Sequence, residues 1–269
     1  MRLVLFAALA WALAAAGPAA AQGAFAWPKG KRAAIVLTYD DAMPSQLDVA
    51  IPQLDAAGLK GTFFLDADSL TPAEMLRWRR AAKSGHELGN HSVNHPCPRA
   101  MLPRAEHHVT ETYDTQSMLA EIGVMNAVLF GIDGLTARTY AYPCSQSLVG
   151  GEDYRGGLRT SGLIRYARTG GDAYRSVITD AASLDPLDVP SWGPVDHPDG
   201  AQLIAYVERV RAAGGLGVLQ FHGVGGDYLE VSAQAHQQLL DHLKRNPDIW
   251  VAPFQQVMDH VTKVGAATP

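Results

Sequence analysis

Three short stretches carry side chains able to do chemistry together: Asp40-Asp41, His91-Ser92-Val93-Asn94-His95, and His222. Histidines four residues apart share one face of a helical turn, with Cβ atoms about 5–6 Å apart. Pro96 disfavours helical geometry at His95, so such a turn should stop there. Two imidazoles and one carboxylate make a hydrolytic metal set that leaves coordination positions open to water and substrate. Adjacent aspartates are costly when both are buried, because like charges raise each other's pKa, and a cation bound by one of them removes the conflict. Each stretch alone has a plain structural explanation: capping histidines, a solvated turn, a hydrogen-bonded histidine. One shared site explains all three at once.

The elements around these stretches place them at strand ends. Ala33 to Thr38 is a short apolar run ending at Asp40-Asp41, and Leu216 to Phe221 is another ending at His222. Further strands are expected at Gly61 to Leu65, Thr139 to Tyr142 and Ile164 to Arg168. Helical spacing marks Gln46 to Ala57, closed by Gly58, as well as 201–213 and 232–245. Thr71-Pro72 reads as an N-cap and first-turn proline before a helix to Lys83. Strand and helix alternate, which predicts a single α/β domain with a largely parallel sheet, open or closed into a barrel. In such folds ligands gather at the carboxyl ends of the strands. The stretch from Ser145 to Pro198, rich in Gly, Pro and Asp, reads as long loops around a site.

The chain has 269 residues, 22 Lys+Arg against 27 Asp+Glu, and two cysteines. A net charge of −5 argues against binding nucleic acid through a broad basic surface, and two cysteines exclude a dense disulfide scaffold. Arg2, the apolar run Leu3 to Ala16, the break at Gly17-Pro18 and the small residues Ala19 to Ala21 read as a cleaved secretory signal, residues 1–21. Residues 22–269 then form one domain. No later segment reads as apolar for long enough to span a bilayer, so the expected location is the periplasm or outside the cell, with no stable membrane insertion.

Taken together, the motifs resemble the polysaccharide deacetylase family, the NodB-homology or family 4 carbohydrate esterases. Thr38-Tyr39-Asp40-Asp41-Ala42 is similar to the family's T-F-D-D-G, and His91-Ser92-Val93-Asn94-His95 matches H-[ST]-x-x-H. Tyr140 to Ser145 corresponds to the third motif, Val189-Pro190-Ser191-Trp192 to the fourth, and Leu219-Gln220-Phe221-His222 to L-x-x-H. The resemblance implies a distorted (β/α) barrel with fewer than eight repeats, seven-stranded, and a divalent metal, Zn2+ in most members. Carried over by position, Asp41, His91 and His95 bind the metal, Asp40 is the general base and His222 the general acid. A backbone N–H near Cys144 would hold the oxyanion, and Tyr142, Pro143, Cys144, Trp192 and Leu219 would bind substrate. The implied activity is removal of N-acetyl or O-acetyl groups from a carbohydrate polymer, the acetylated glycan being the partner. The alternatives are hydrolysis of small non-peptide amides or imides on the same scaffold, and a non-catalytic carbohydrate-binding protein.

Three positions depart from the family pattern. Ala42 replaces a glycine, which implies that the backbone after Asp41 needs no left-handed conformation. Ala141 stands where many members place an arginine that orients the base, and Ser191 where many place its partner carboxylate. Losing both avoids an uncompensated charge, and Arg165 or Arg168 is the candidate replacement. Cys97 lies two residues after His95 and Cys144 lies in the third motif, and both motifs should line one cleft. In an oxidising compartment the two cysteines are expected to form a disulfide, two buried thiols being the alternative. Gly223 to Tyr228 offers a glycine-rich loop beside His222, either a sugar contact or a plain turn.

Overall fold

The apolar run before the aspartate pair forms β1 (Ala33–Asp40), in which every residue is buried. The computed structural model describes residues 25–68, 70–102 and 105–266, so the expected leader peptide lies outside the described residues. After β1 come α1 (Ile51–Ala57), β2 (Thr62–Leu65), α2 (Pro72–Lys83), β3 (Glu87–Asn90), α3 (Thr115–Asp133) and β4 (Thr139–Ala141). A small hairpin, β5 (Leu148–Val149) and β6 (Glu152–Asp153), leads to α4 (Arg155–Ser161), β7 (Tyr166–Arg168) and β8 (Val177–Ile178). Then follow α5 (Gly200–Ala213), β9 (Leu216–Phe221), α6 (Ala233–Arg245), β10 (Ile249–Val251) and α7 (Phe254–Ala266).

Parallel pairing runs in the order β7, β4, β3, β2, β1, β9, with β10 beside the start of β1 and β8 antiparallel to β9. The gap between β7 and β9 is filled by residues 189–192. Val189 bridges Arg168, Trp192 bridges Leu219, and Trp192 N–H donates to the Val218 carbonyl at 2.9 Å. Six strands and this bridging segment therefore close a seven-membered, irregular barrel of parallel pairings, the NodB-like architecture that the resemblance implied. Along β1 the pleat sends Ala33, Ile35, Leu37 and Tyr39 to a core shared with the helices. Ala34 and Val36 face a second core with Val218, Val189 and Phe254.

The expected helices form where their end signals lie. Thr71 and Glu74 make a reciprocal capping box before Pro72, and Ser232 accepts from Ala235 N–H. Gly58 closes α1 at φ 72°, a conformation that costs residues with a side chain. The turn before α1, Gln46–Ala50, is a wider π-type helix, and its Gln46 Nε2 donates to the carbonyls of Asp40 (2.5 Å) and His222 (3.1 Å). This amide ties together two of the chemistry-bearing strand ends.

Two expectations need correcting here. The Ser145 to Pro198 stretch is not merely loop, since it contains β5, β6, α4, β7 and β8. And α3 is long and apolar enough to cross a membrane by length and composition. It nevertheless buries Met118, Ile122, Met125, Leu129 and Ile132 and also buries Glu121, as a core helix does.

Two histidines away from the strand ends give the fold a pH dependence. Tyr39 OH and Gln53 Oε1 hold the ring of His236 at 2.7 and 2.6 Å, and burial pushes that imidazole down to about 3. Burial first, then the Lys60 charge, pushes His86 down to about 4. Unfolded, both would take up a proton near pH 6.5. Below that pH the unfolded chain binds protons the folded chain refuses, so stability falls on acidification until the folded values are reached. Each such histidine contributes a slope of roughly 1.4 kcal/mol per pH unit. Denaturant titrations between pH 6 and 4.5 are expected to lose one proton's worth of slope in His236→Gln; an unchanged slope would contradict the assignment.

Candidate active site

The polar residues of interest collect at one end of the barrel, where β1, β3, β4, β7 and β9 finish. Asp41 N–H donates to the Phe64 carbonyl at 3.1 Å, and Asp41 and Ala42 both take left-handed backbone, φ 73° and 51°. The expectation for Ala42 was therefore wrong. The chain turns out of β1 through two consecutive left-handed residues, and a side chain at the second makes that turn less favourable than glycine would.

His91 and His95 do not share a helical turn. They sit in an irregular loop with Ser92 at φ 68° and His95 at φ 47°. Several bonds fold this loop: Ser92 N–H donates to Asn90 Oδ1 (2.7 Å), and His95 N–H to Ser92 Oγ (3.0 Å). From below, Glu121 Oε1 accepts from the backbone N–H groups of Val93 (3.0 Å) and Asn94 (2.6 Å). Glu121 is buried on α3, and no spacing in the sequence singled it out. The only mark it carried was being the single charged residue between Asp114 and Asp133.

The two rings meet with His91 Nε2 3.1 Å from His95 Nε2. Asp41 Oδ1 lies 3.3 Å from the first and 3.4 Å from the second. His91 Nδ1 donates to the Ala141 carbonyl at 2.8 Å, which leaves its Nε2 lone pair facing the cluster. Burial alone would raise the Asp41 carboxyl. The close His91 imidazole, with the charges of His95 and His222, outweighs it and holds Asp41 well below the usual carboxylate range. Conversely, Asp40 and Asp41 overcome the burial of His91 and raise it. Asp41 Oδ1 has no hydrogen-bond partner among the described residues. Four-coordinate ligands at 2.0–2.1 Å from a zinc-like centre stand about 3.3 Å apart, which the three observed edges match. The donor set therefore fits a divalent metal.

Asp40 is 1% exposed and is held through one oxygen. Its Oδ2 accepts from Arg168 Nη2 (2.5 Å) and Gln220 Nε2 (2.9 Å), while Oδ1 has no partner among the described residues. Arg168 is itself 1% exposed, lies over the Phe64 ring and donates from Nη1 to Ser191 Oγ at 3.1 Å. Its register partner on β4 is Ala141. Parallel neighbours point to one face, so the small side chain of Ala141 leaves room for a guanidinium from the next strand. Arg165, the other candidate, pairs with Asp259 at 2.8 Å and is half-exposed, away from the aspartates.

His222 follows β9, with Nε2 3.8 Å from Asp41 Oδ2. Cys97 is bonded to Cys144, with Cα atoms 5.7 Å apart, so the disulfide ties the histidine loop to the turn after β4. His95 and these two sulfurs also lie close together, but bonded sulfurs are not thiolate ligands. The remaining substrate-binding candidates make these contacts. Tyr142 is buried and donates to the Leu187 carbonyl (2.9 Å), Pro143 is buried, and Leu219 lies in the core facing the helices. Trp192 packs on Tyr206 with ring centroids 5.0 Å apart. Strand parity explains Leu219: Gln220 points to Asp40, so its neighbour points the other way.

Residues 28–149 match the sequence profile of the polysaccharide deacetylase family. Over this stretch the chain is similar to the polysaccharide deacetylase family. A gellan lyase of a Bacillus species is 30% identical over 117 residues, 44% of this chain but 4% of that protein, so the chain spans a small part of this relative. A Mycobacterium smegmatis structure assigned to the polysaccharide deacetylases superposes with a TM-score of 0.65 at 18% identity, covering 92% of this chain and 96% of that one. The Xyl-CE4 domain of a multidomain xylanase from the hindgut metagenome of Trinervitermes trinervoides gives 0.54 at 17% identity, covering 84% and 90%. At these identities the likeness is one of fold. It places the stretch that matches the profile in a barrel of the kind described above, with Asp40, Asp41, His91 and His95 inside the matched residues.

Proposed function

We propose that the protein is a metal-dependent hydrolase that removes acetyl groups, N-acetyl foremost, from a carbohydrate polymer. The observation that carries this reading is the triangle of Asp41 Oδ1, His91 Nε2 and His95 Nε2, with edges of 3.1–3.4 Å, beside a second buried carboxylate whose Oδ1 has no partner among the described residues. Asp41, His91 and His95 would hold the metal, with Zn2+ the ion that best suits two imidazoles and one carboxylate. When bound, it supplies Lewis acidity, activating water and polarising the acetyl carbonyl.

Within that frame, Asp40 takes the proton of the attacking water on Oδ1, because Arg168 and Gln220 occupy Oδ2 and fix the carboxylate's direction. A backbone N–H in the turn around Cys144 would serve the developing oxyanion, and the Cys97–Cys144 bond holds that turn against the histidine loop. His222 delivers a proton to the departing amine or hydroxyl. A cleft of about 310 Å³ opens beside Asp41 between Met43, Pro44 and Tyr228, and we assign it to the glycan. The leader-like reading of residues 1–21 supports a periplasmic or extracellular setting for this activity, which is part of the proposal. Acetate release from N-acetylglucosamine oligomers and from acetylated xylan, lost on chelation and restored by zinc, is the expected result; sugar binding without acetate release would make the protein a binding module instead.

A further inference from the structure

The loop after His222 holds a side chain that neither the motifs nor the reaction above uses. Gly223 N–H donates to the Tyr228 carbonyl (3.1 Å) and Val231 N–H to the Gly223 carbonyl (2.9 Å), closing the loop on itself. Ser45 anchors it from the other side of the cleft: its N–H donates to Asp227 Oδ2 at 2.8 Å, and its Oγ accepts from Val224 N–H at 3.1 Å. Asp227 and Leu229, on either side of Tyr228, both have left-handed backbone, φ 65° and 48°. The ring of Tyr228 is half-exposed and lies 5.6 Å from the His222 ring, yet its hydroxyl turns inward and donates to Asp41 Oδ2.

Asp41 thus divides its two oxygens. Oδ1 faces the histidine nitrogens, and Oδ2 faces the phenol. His222 Nε2, at 3.8 Å, is too far to hydrogen-bond that second oxygen. We propose that Tyr228 is a positioning residue for the metal centre: its hydroxyl holds Asp41 Oδ2 out of the coordination sphere, so that the carboxylate ligates through Oδ1 alone and is pre-set for the ion. A phenol is a protonated donor throughout the neutral range, so this restraint is present before the metal arrives. Partners of this kind, bonded to a ligand rather than to the ion, typically affect metal affinity 10–100-fold.

The inference rests on the metal-site reading above, and its test separates the two. Metal-free wild type and Tyr228→Phe are titrated with Zn2+ against a chromophoric chelator, and the thermal melting of both metal-free proteins is followed in parallel. The expected result is one tight Zn2+ per chain in the wild type, an affinity about 10–100-fold lower in the variant, and equal melting of the two metal-free forms. Equal Zn2+ affinity overturns the role of Tyr228 and leaves the metal site standing. Weaker binding accompanied by lower melting of the metal-free variant means that the hydroxyl only packs the loop, which also overturns it. A wild type that binds no Zn2+ removes the metal site and this inference together.

Discussion

Asp40→Asn is expected to lower the rate of acetate release by roughly 10²–10⁴-fold while the protein still binds one zinc ion. The two carboxylates are adjacent in sequence but do different work in the fold. Asp41 Oδ1 lies within 3.4 Å of both histidine nitrogens, whereas the nearest approach of Asp40 to His91 Nε2 is 3.9 Å, through the oxygen already bound by Arg168 and Gln220. Replacing Asp40 by the amide removes a proton acceptor and leaves the ligand triangle intact. The amide oxygen can still accept from Arg168, so the variant should fold. Activity and bound metal, measured on the same preparation, decide the matter. If metal content falls along with turnover, the roles of Asp40 and Asp41 are reversed.

Arg168→Met should carry the second largest effect, and it should appear in stability as well as in turnover. Arg168 and Asp40 form an ion pair in which both side chains are 1% exposed. Removing one member of such a pair leaves a buried charge without its partner, at a cost of about 3–5 kcal/mol. For a chain of this size that corresponds to a drop in melting temperature of roughly 6–20 °C. The double variant Arg168→Met/Asp40→Asn should lose less than the sum of the two single changes, because the orphaned charge is gone. Arg168→Lys should recover only part of the activity, since one ammonium cannot reach Asp40 and Ser191 in the forked geometry of a guanidinium. A methionine variant that melts with the wild type and keeps full turnover would show that the pair is incidental.

The central ligands were legible in the sequence because each follows an apolar strand or stands beside one, and strand ends are where an α/β fold assembles a site. Asp40, Asp41 and His222 needed only that logic, and β9 ends where the apolar run ends. What could not be read depends on backbone turns and on contacts between elements distant in sequence. The spacing of His91 and His95 suggested one face of a helix, but the rings meet through two left-handed residues and a buried glutamate on α3. The arginine missing from Ala141 could be placed at Arg165 or Arg168, and only the register of β4 against β7 decides between them. Leu219 and Tyr142 sit within motifs, yet they face the helix side and a tyrosine cluster. Tyr228 was part of a glycine-rich loop without an assigned task, because the distance from its hydroxyl to Asp41 is set by an anchor at Ser45 nearly two hundred positions away.

The reaction proposed for this site requires the Asp41, His91 and His95 triangle to be a working metal centre. The most direct test is to strip the protein with chelator, add zinc back in sub-stoichiometric steps, and measure acetate release from N-acetylglucosamine oligomers at each step. Activity near zero in the stripped protein, rising in proportion to zinc and reaching its plateau at one ion per chain, is the predicted result. Undiminished acetate release from fully stripped protein would contradict it.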